Sequence, residues 1–285
     1  MIEDLLREKL GSYRPQNAIE QEHALQEVMQ HYVLAGLARA GLFKEALFHG
    51  GTCLRILFGM RRFSEDLDFM LKAPDPGFGW RPYLEAVGEL CRQEGIHFEL
   101  LDRSELEGSV RKAFLKTDSI GKVVLLDLPY SRDARRKIRI KLEIDTNPPE
   151  GSAFQTAFIG FPVTAAITVQ SLESAFGTKS HALLCRRYIK GRDWHDLLWF
   201  ISRQVAPDLL LLQNAIDQQG SWAGQHQVVT PEWYIESLRA RIDAVDWAAA
   251  RDDVIRFVPA RDQEGVALWG QDLFRYHLDR LAQYL

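Results

Sequence analysis

Nine residues, Lys137 to Asp145, alternate charged and apolar without a break: Lys137, Arg139, Lys141, Glu143 and Asp145 against Ile138, Ile140, Leu142 and Ile144. A period of two belongs to a half-buried β-strand, because successive side chains leave the pleat on opposite faces. The chain must therefore build a sheet with an apolar face to cover and a charged face to leave open. Pro148-Pro149 ends the strand.

A second segment, Ser64 to Leu71, repeats the pattern, with Leu67, Phe69 and Leu71 on one side and Ser64, Asp66 and Asp68 on the other. Before it, the apolar run Glu45 to Phe48 stops at Gly50-Gly51, and Leu54, Leu57 and Phe58 then share a helical face until Gly59. The order is strand, glycine turn, short helix, strand. Helical spacing also marks Glu20 to Ala40, closed by Gly41, and a helix opened by Pro82 and closed by Gly95. Ile96 to Leu101 and Lys122 to Leu128 read as further strands. Beyond Pro162 the spacing turns helical, through Leu172 to Arg186 and Trp194 to Arg203, and Pro207 and Pro231 are expected to open more helices. The expected fold class is α/β: a mixed sheet with flanking helices over residues 1–165, then a mainly helical domain over 166–285.

With 285 residues the chain can bury a core without staples. Its net charge of −4 excludes a protein-wide basic footprint for nucleic acid, so such a partner has to meet a local patch. Arg132, Arg135, Arg136 and Lys137 form the best local run for an RNA backbone. Three scattered cysteines without a Cys-x-x-Cys pair suit a reducing compartment, and the charged opening segment lacks the apolar core of a signal peptide. No apolar run reaches the roughly 18 residues of a membrane helix, so the expectation is a cytoplasmic protein with no membrane partner.

The chemistry gathers at Asp66 and Asp68. Two carboxylates on one strand face repel unless a cation lies between them, and hard oxygens suit magnesium. An isolated Asp-x-Asp pair is common on solvated strands; here His49-Gly50-Gly51-Thr52 precedes it, between a strand and a helix. Glycines admit a ligand close to the backbone, the helix N-terminus favours a phosphate, and the Thr52 hydroxyl can donate to it. A third acid completes a two-metal site. Glu143, flanked by apolar residues inside its strand, is preferred, and Asp145 near the fraying end is the alternative. His181 and His195 lack the spacing of a metal site.

The segments His49 to Arg55 and Arg62 to Phe69 together resemble the signature of the AbiEii/AbiGii-type nucleotidyltransferases. These belong to the DNA polymerase β-like nucleotidyltransferase superfamily and include toxins of type IV toxin–antitoxin pairs and the related MenT toxins. The resemblance continues at Lys141-Leu142-Glu143-Ile144, Lys179 to Arg186 and Lys190 to Leu197. Thr52 stands where the superfamily usually has serine, and Glu173-Ser174 stand where some members have an arginine.

The resemblance implies magnesium-dependent transfer of a nucleoside monophosphate from an NTP to an acceptor hydroxyl, in a cleft between the two domains. Asp66, Asp68 and Glu143 would hold the metal; Gly50, Gly51, Thr52 and Ser64 would bind the nucleotide. Lys179 and Asp193 would join them from the helical part. It further implies an RNA acceptor, the 3′ end of tRNA, and a cognate antitoxin. Two other classes stay open: transfer to a small molecule, and a non-catalytic nucleotide- or partner-binding protein on the same fold.

Overall fold

The computed structural model describes residues 2–96, 98–103, 110–117 and 138–285. The expected strand Lys122 to Leu128 and the basic run Arg132, Arg135, Arg136 and Lys137 lie outside the described residues. The chain divides into two compact units. The first comprises Met1–Gly59, Phe63–Pro148 and Thr156–Val169, and the second Met60–Arg62, Pro149–Gln155 and Gln170–Leu285.

The first unit is built on a mixed sheet. Its strands are β1 (Ala46–His49), β2 (Asp66–Leu71), β3 (Phe98–Arg103), β4 (Val110–Thr117), β5 (Ile138–Asp145), β6 (Phe154–Ile159) and β7 (Ala165–Gln170). Their spatial order is β3-β4-β5-β2-β1-β7-β6. β2 runs parallel to β5 and antiparallel to β1, and β1 runs parallel to β7. The alternation in the sequence reappears as burial: Ile140, Leu142, Ile144 and Leu67 are wholly buried, and Phe69 nearly so. They join one core with Val28, Met29, Tyr32 and Leu37 of α2 (Ala18–Arg39) and with Val87 and Leu90 of α4 (Arg81–Gln93). Truncating one such core leucine to alanine typically costs about 2–5 kcal/mol.

Local chemistry sets the ends of these elements. The Asn17 side chain accepts from the Glu20 N–H and caps α2, while Glu20 reaches back to the Gln16 N–H at 2.8 Å. Helix α1 (Ile2–Tyr13) precedes it, and α3 (Gly50–Phe58) fills the connection between β1 and β2.

The second unit is helical: α5 (Leu172–Cys185), α6 (Gly191–Ser202), α7 (Leu209–Gln218), α8 (Pro231–Ala244), α9 (Trp247–Ile255), α10 (Gln263–Ala267) and α11 (Gln271–Leu281). Pro231 takes the first turn of α8 behind the Thr230 cap; Pro207 stands one residue before Asp208, whose carboxylate caps α7. Tryptophans form core here. Trp194, Trp247, Trp269 and Phe274 make ring contacts at 4.2–5.4 Å. Among the described residues no helix is long and apolar enough to cross a membrane.

Candidate active site

Strand register places the acids. Asp66 lies opposite Lys141 and Asp68 opposite Glu143 across the β2–β5 pair, while His49 of β1 lies opposite Asp68 on its other side. Residues opposite one another in register leave the sheet on the same face. His49, Asp66, Asp68, Lys141, Glu143 and Asp145 therefore share the charged face, with the core on the other.

The Lys141 ammonium contacts Glu143 Oε1 and lies 3.8 Å from Asp66 Oδ2. Burial disfavours its charge, but the Glu143 bond and the charges of Asp66, Glu143 and Asp68 outweigh that and raise its pKa. Asp145 differs. Burial pushes its carboxyl upward against the Asn147 N–H bond and the His49 charge, and its Oδ1 accepts from that N–H at 2.9 Å.

The glycine turn closes on the same acids. Gly50 has φ +78°, and a Cβ there would sit 2.4 Å from Asp68 Oδ2. Only glycine fits that approach. His49 holds the cap position of α3 without a side-chain bond to the helix. The buried Thr52 hydroxyl, expected to face a phosphate, donates instead to the Asp66 carbonyl. Ser64 contributes its carbonyl, which accepts from Gln30 Nε2 at 3.0 Å; Gln30 also donates to the Glu65 carbonyl at 2.9 Å. Gln26 bonds the Glu65 carbonyl at 3.1 Å and the Arg139 carbonyl at 3.4 Å, so one helix ties the starts of both acid-bearing strands.

Magnesium takes hard oxygen donors, and Asp66, Asp68 and Glu143 present such donors on one face. Among the described residues no three metal-ligating side chains close on one point, and Lys141 stands between Asp66 and Glu143 as the neutralising cation.

A second charged cluster lies in the helical unit. Arg62 grips Asp196 through two bonds, Nε–Oδ1 at 2.6 Å and Nη2–Oδ2 at 2.7 Å, both residues being almost wholly buried. Lys179 Nζ lies 2.9 Å from Asp196 Oδ2 and 3.3 Å from Asp193 Oδ1, and Arg186 Nε lies 3.1 Å from Asp193 Oδ2. Three cations thus share two carboxylates. Burial alone would raise the Asp196 pKa, but Arg62 and Lys179 hold it well below the carboxylate range. Neighbouring Lys190 is pushed down, by burial and then by the charge of Lys179. Cations crowd here, which favours an incoming anion. His195 is lowered to about 4 by burial and Arg62, so it stays neutral.

Lys179 and Asp193, which the resemblance implied, meet in this cluster. Arg62, Arg186, Asp196, Gln26 and Gln30 carry no such signal in the sequence, and only the folded contacts single them out.

The family model of the AbiEii nucleotidyltransferase toxin, type IV toxin–antitoxin system, matches residues 32–274, which takes in both charged clusters. The chain belongs to the AbiEii family. It is a nucleotidyltransferase of that toxin family, with an α/β fold to match. MenT4, a nucleotidyltransferase toxin of Mycobacterium tuberculosis H37Rv, superposes with TM-score 0.51 and 20% identity, covering 98% of each chain. JHP933 of Helicobacter pylori superposes with TM-score 0.51 and 16% identity, covering 92% of this chain and 90% of its own. Identities this low establish the shared fold. No curated protein matches the sequence significantly. Membership of a type IV toxin family carries with it an NTP substrate and an antitoxin partner.

Proposed function

We propose that this AbiEii-family enzyme transfers a nucleoside monophosphate from an NTP to the 3′ hydroxyl of an RNA, with tRNA as the acceptor, and that a cognate antitoxin restrains it. The observation that carries the reading is the register of Asp66, Asp68 and Glu143 on one sheet face, closed by Gly50 against the Asp68 carboxylate.

In this reading Asp66, Asp68 and Glu143 hold magnesium. When bound, the ion supplies Lewis-acid polarisation of the triphosphate. The acceptor oxygen forms a bond to the α-phosphorus while the bond from that phosphorus to the β-phosphate bridging oxygen breaks, and pyrophosphate leaves with the bond's electrons. Glu143, paired with Lys141, takes the hydroxyl proton. Gly50 and Gly51 let the phosphates approach the start of α3. Thr52 and Ser64 serve by fixing the backbone on either side of Asp66. Lys179 neutralises the leaving pyrophosphate, and Asp193 orients the Lys179 ammonium.

Incubation with each α-phosphate-labelled NTP, magnesium and total cellular RNA tests the proposal. Label in tRNA supports it. Label in a small molecule, or in nothing, overturns it.

A further inference from the structure

The second unit holds a cavity of about 450 Å³ that the proposed chemistry does not use. His181, Cys185, Arg186 and Arg187, from α5 and the residues after it, line it with Gln219 and Ser221. Gly220 keeps it open: φ is +118°, and a Cβ there would lie 2.6 Å from Cys185 Sγ.

The lining defines what the cavity can hold. Among the described residues that line it there is no carboxylate, whereas two guanidinium groups are present. The His181 Nε2–H donates to the Gln219 carbonyl at 2.8 Å, which fixes the ring; burial lowers its pKa and leaves it neutral. Burial also raises the Cys185 pKa, so the thiol stays protonated and the cavity has no ready nucleophile. Charge recognition remains. Beside Arg186 stands Tyr188, 62% exposed, with the guanidinium 4.8 Å from its ring centre and bonded to its hydroxyl. An exposed aromatic face next to arginines is the arrangement on which single-stranded bases stack while their phosphates are neutralised.

We propose that this cavity binds a phosphate-bearing nucleotide of the acceptor strand, with Arg187 and Arg186 on the phosphate and the base stacked on Tyr188. The inference rests on the reading that the acceptor is RNA. Arg186 ties the cavity to the cation cluster, because the same guanidinium that lines it also pairs with Asp193. A free NTP carries the same chemistry as a strand nucleotide, so the test separates the two.

Binding of a fluorescein-labelled single-stranded RNA about a dozen nucleotides long is measured by anisotropy with the full-length protein, without NTP or magnesium. Binding of an unreactive NTP analogue is measured separately. Arg187 and Tyr188 are exposed, so Arg187→Ala and Tyr188→Leu keep the fold. Each should weaken RNA binding by about tenfold, and Arg187→Ala should lower the salt slope by about one. NTP-analogue affinity should not change. Unchanged RNA affinity in the double variant overturns the inference, and so does a selective loss of NTP affinity, which would make the cavity a donor site. Labelling of RNA by wild type in the transfer assay is scored independently, so a failed cavity leaves the parent reading standing, and a failed transfer condemns that reading first.

Discussion

Thr52 donates its hydroxyl proton to the main-chain carbonyl of Asp66, across the turn that joins α3 to β2. The bond is buried, so a residue of the same shape without the hydroxyl leaves that carbonyl unpaired. Thr52→Val should lower stability by about 1–3 kcal/mol and reduce kcat by at least about tenfold, whereas Thr52→Ser restores both. Urea unfolding and initial rates check this. A raised KM for NTP at unchanged stability would instead put the hydroxyl on a phosphate.

Glu143 and Asp145 share a face but differ in their partners. Glu143 lies opposite Asp68 and is paired with Lys141; Asp145 is engaged with the Asn147 N–H, and its pKa is raised by burial. Glu143→Gln should abolish transfer, and Asp145→Asn should retain most of it. The reverse pattern in steady-state rates would make Asp145 the third acid.

Lys179→Met removes the cation that Asp193 and Asp196 share. Asp196 keeps Arg62 and Asp193 keeps Arg186, so the unit should stay folded. The expected effect is a fall of about a hundredfold in kcat/KM for the NTP, with RNA affinity little changed. Equal kcat/KM would reduce Lys179 to a structural ion.

Acid should draw stability down through the buried histidines first. His31 and His195 have folded pKa values lowered by burial to about 3 and about 4. Their contributions are full above the unfolded value of about 6.5 and decline as pH falls towards those folded values. Asp196 is depressed too, so its contribution is full above about 3.9 and is lost only at lower pH. Unfolding midpoints from pH 7 to pH 3 should therefore fall first through the histidines. His195→Gln should flatten the upper part of that curve, and an unaltered slope would show that its environment is not dry.

Much of this was legible in the chain, for a physical reason. The alternation from Ile138 to Asp145 and from Asp66 to Phe69 leaves one face apolar, so the sheet, its core and its acid-bearing face follow together. Met70 breaks the pattern; it is buried on the acids' side of β2 because only the first half of that face is polar. What periodicity cannot show is partner choice across long separations. Arg62 and Asp196 are 134 residues apart, and Gln26 reaches the Arg139 carbonyl across 113. Each looks like an ordinary polar residue in sequence. The backbone acceptor of the Thr52 hydroxyl is invisible in sequence, because it is supplied by β2 lying beside α3.

Nucleotide transfer is proposed for the face that carries Asp66, Asp68 and Glu143. Its most direct test compares wild type with Asp68→Ala in magnesium-dependent transfer of α-phosphate label from NTP to RNA, with unfolding midpoints measured alongside. Labelled RNA is expected with wild type, a loss of at least about a thousandfold with the variant, and midpoints that agree closely. Equal labelling by the two proteins, at any magnesium concentration, would contradict it.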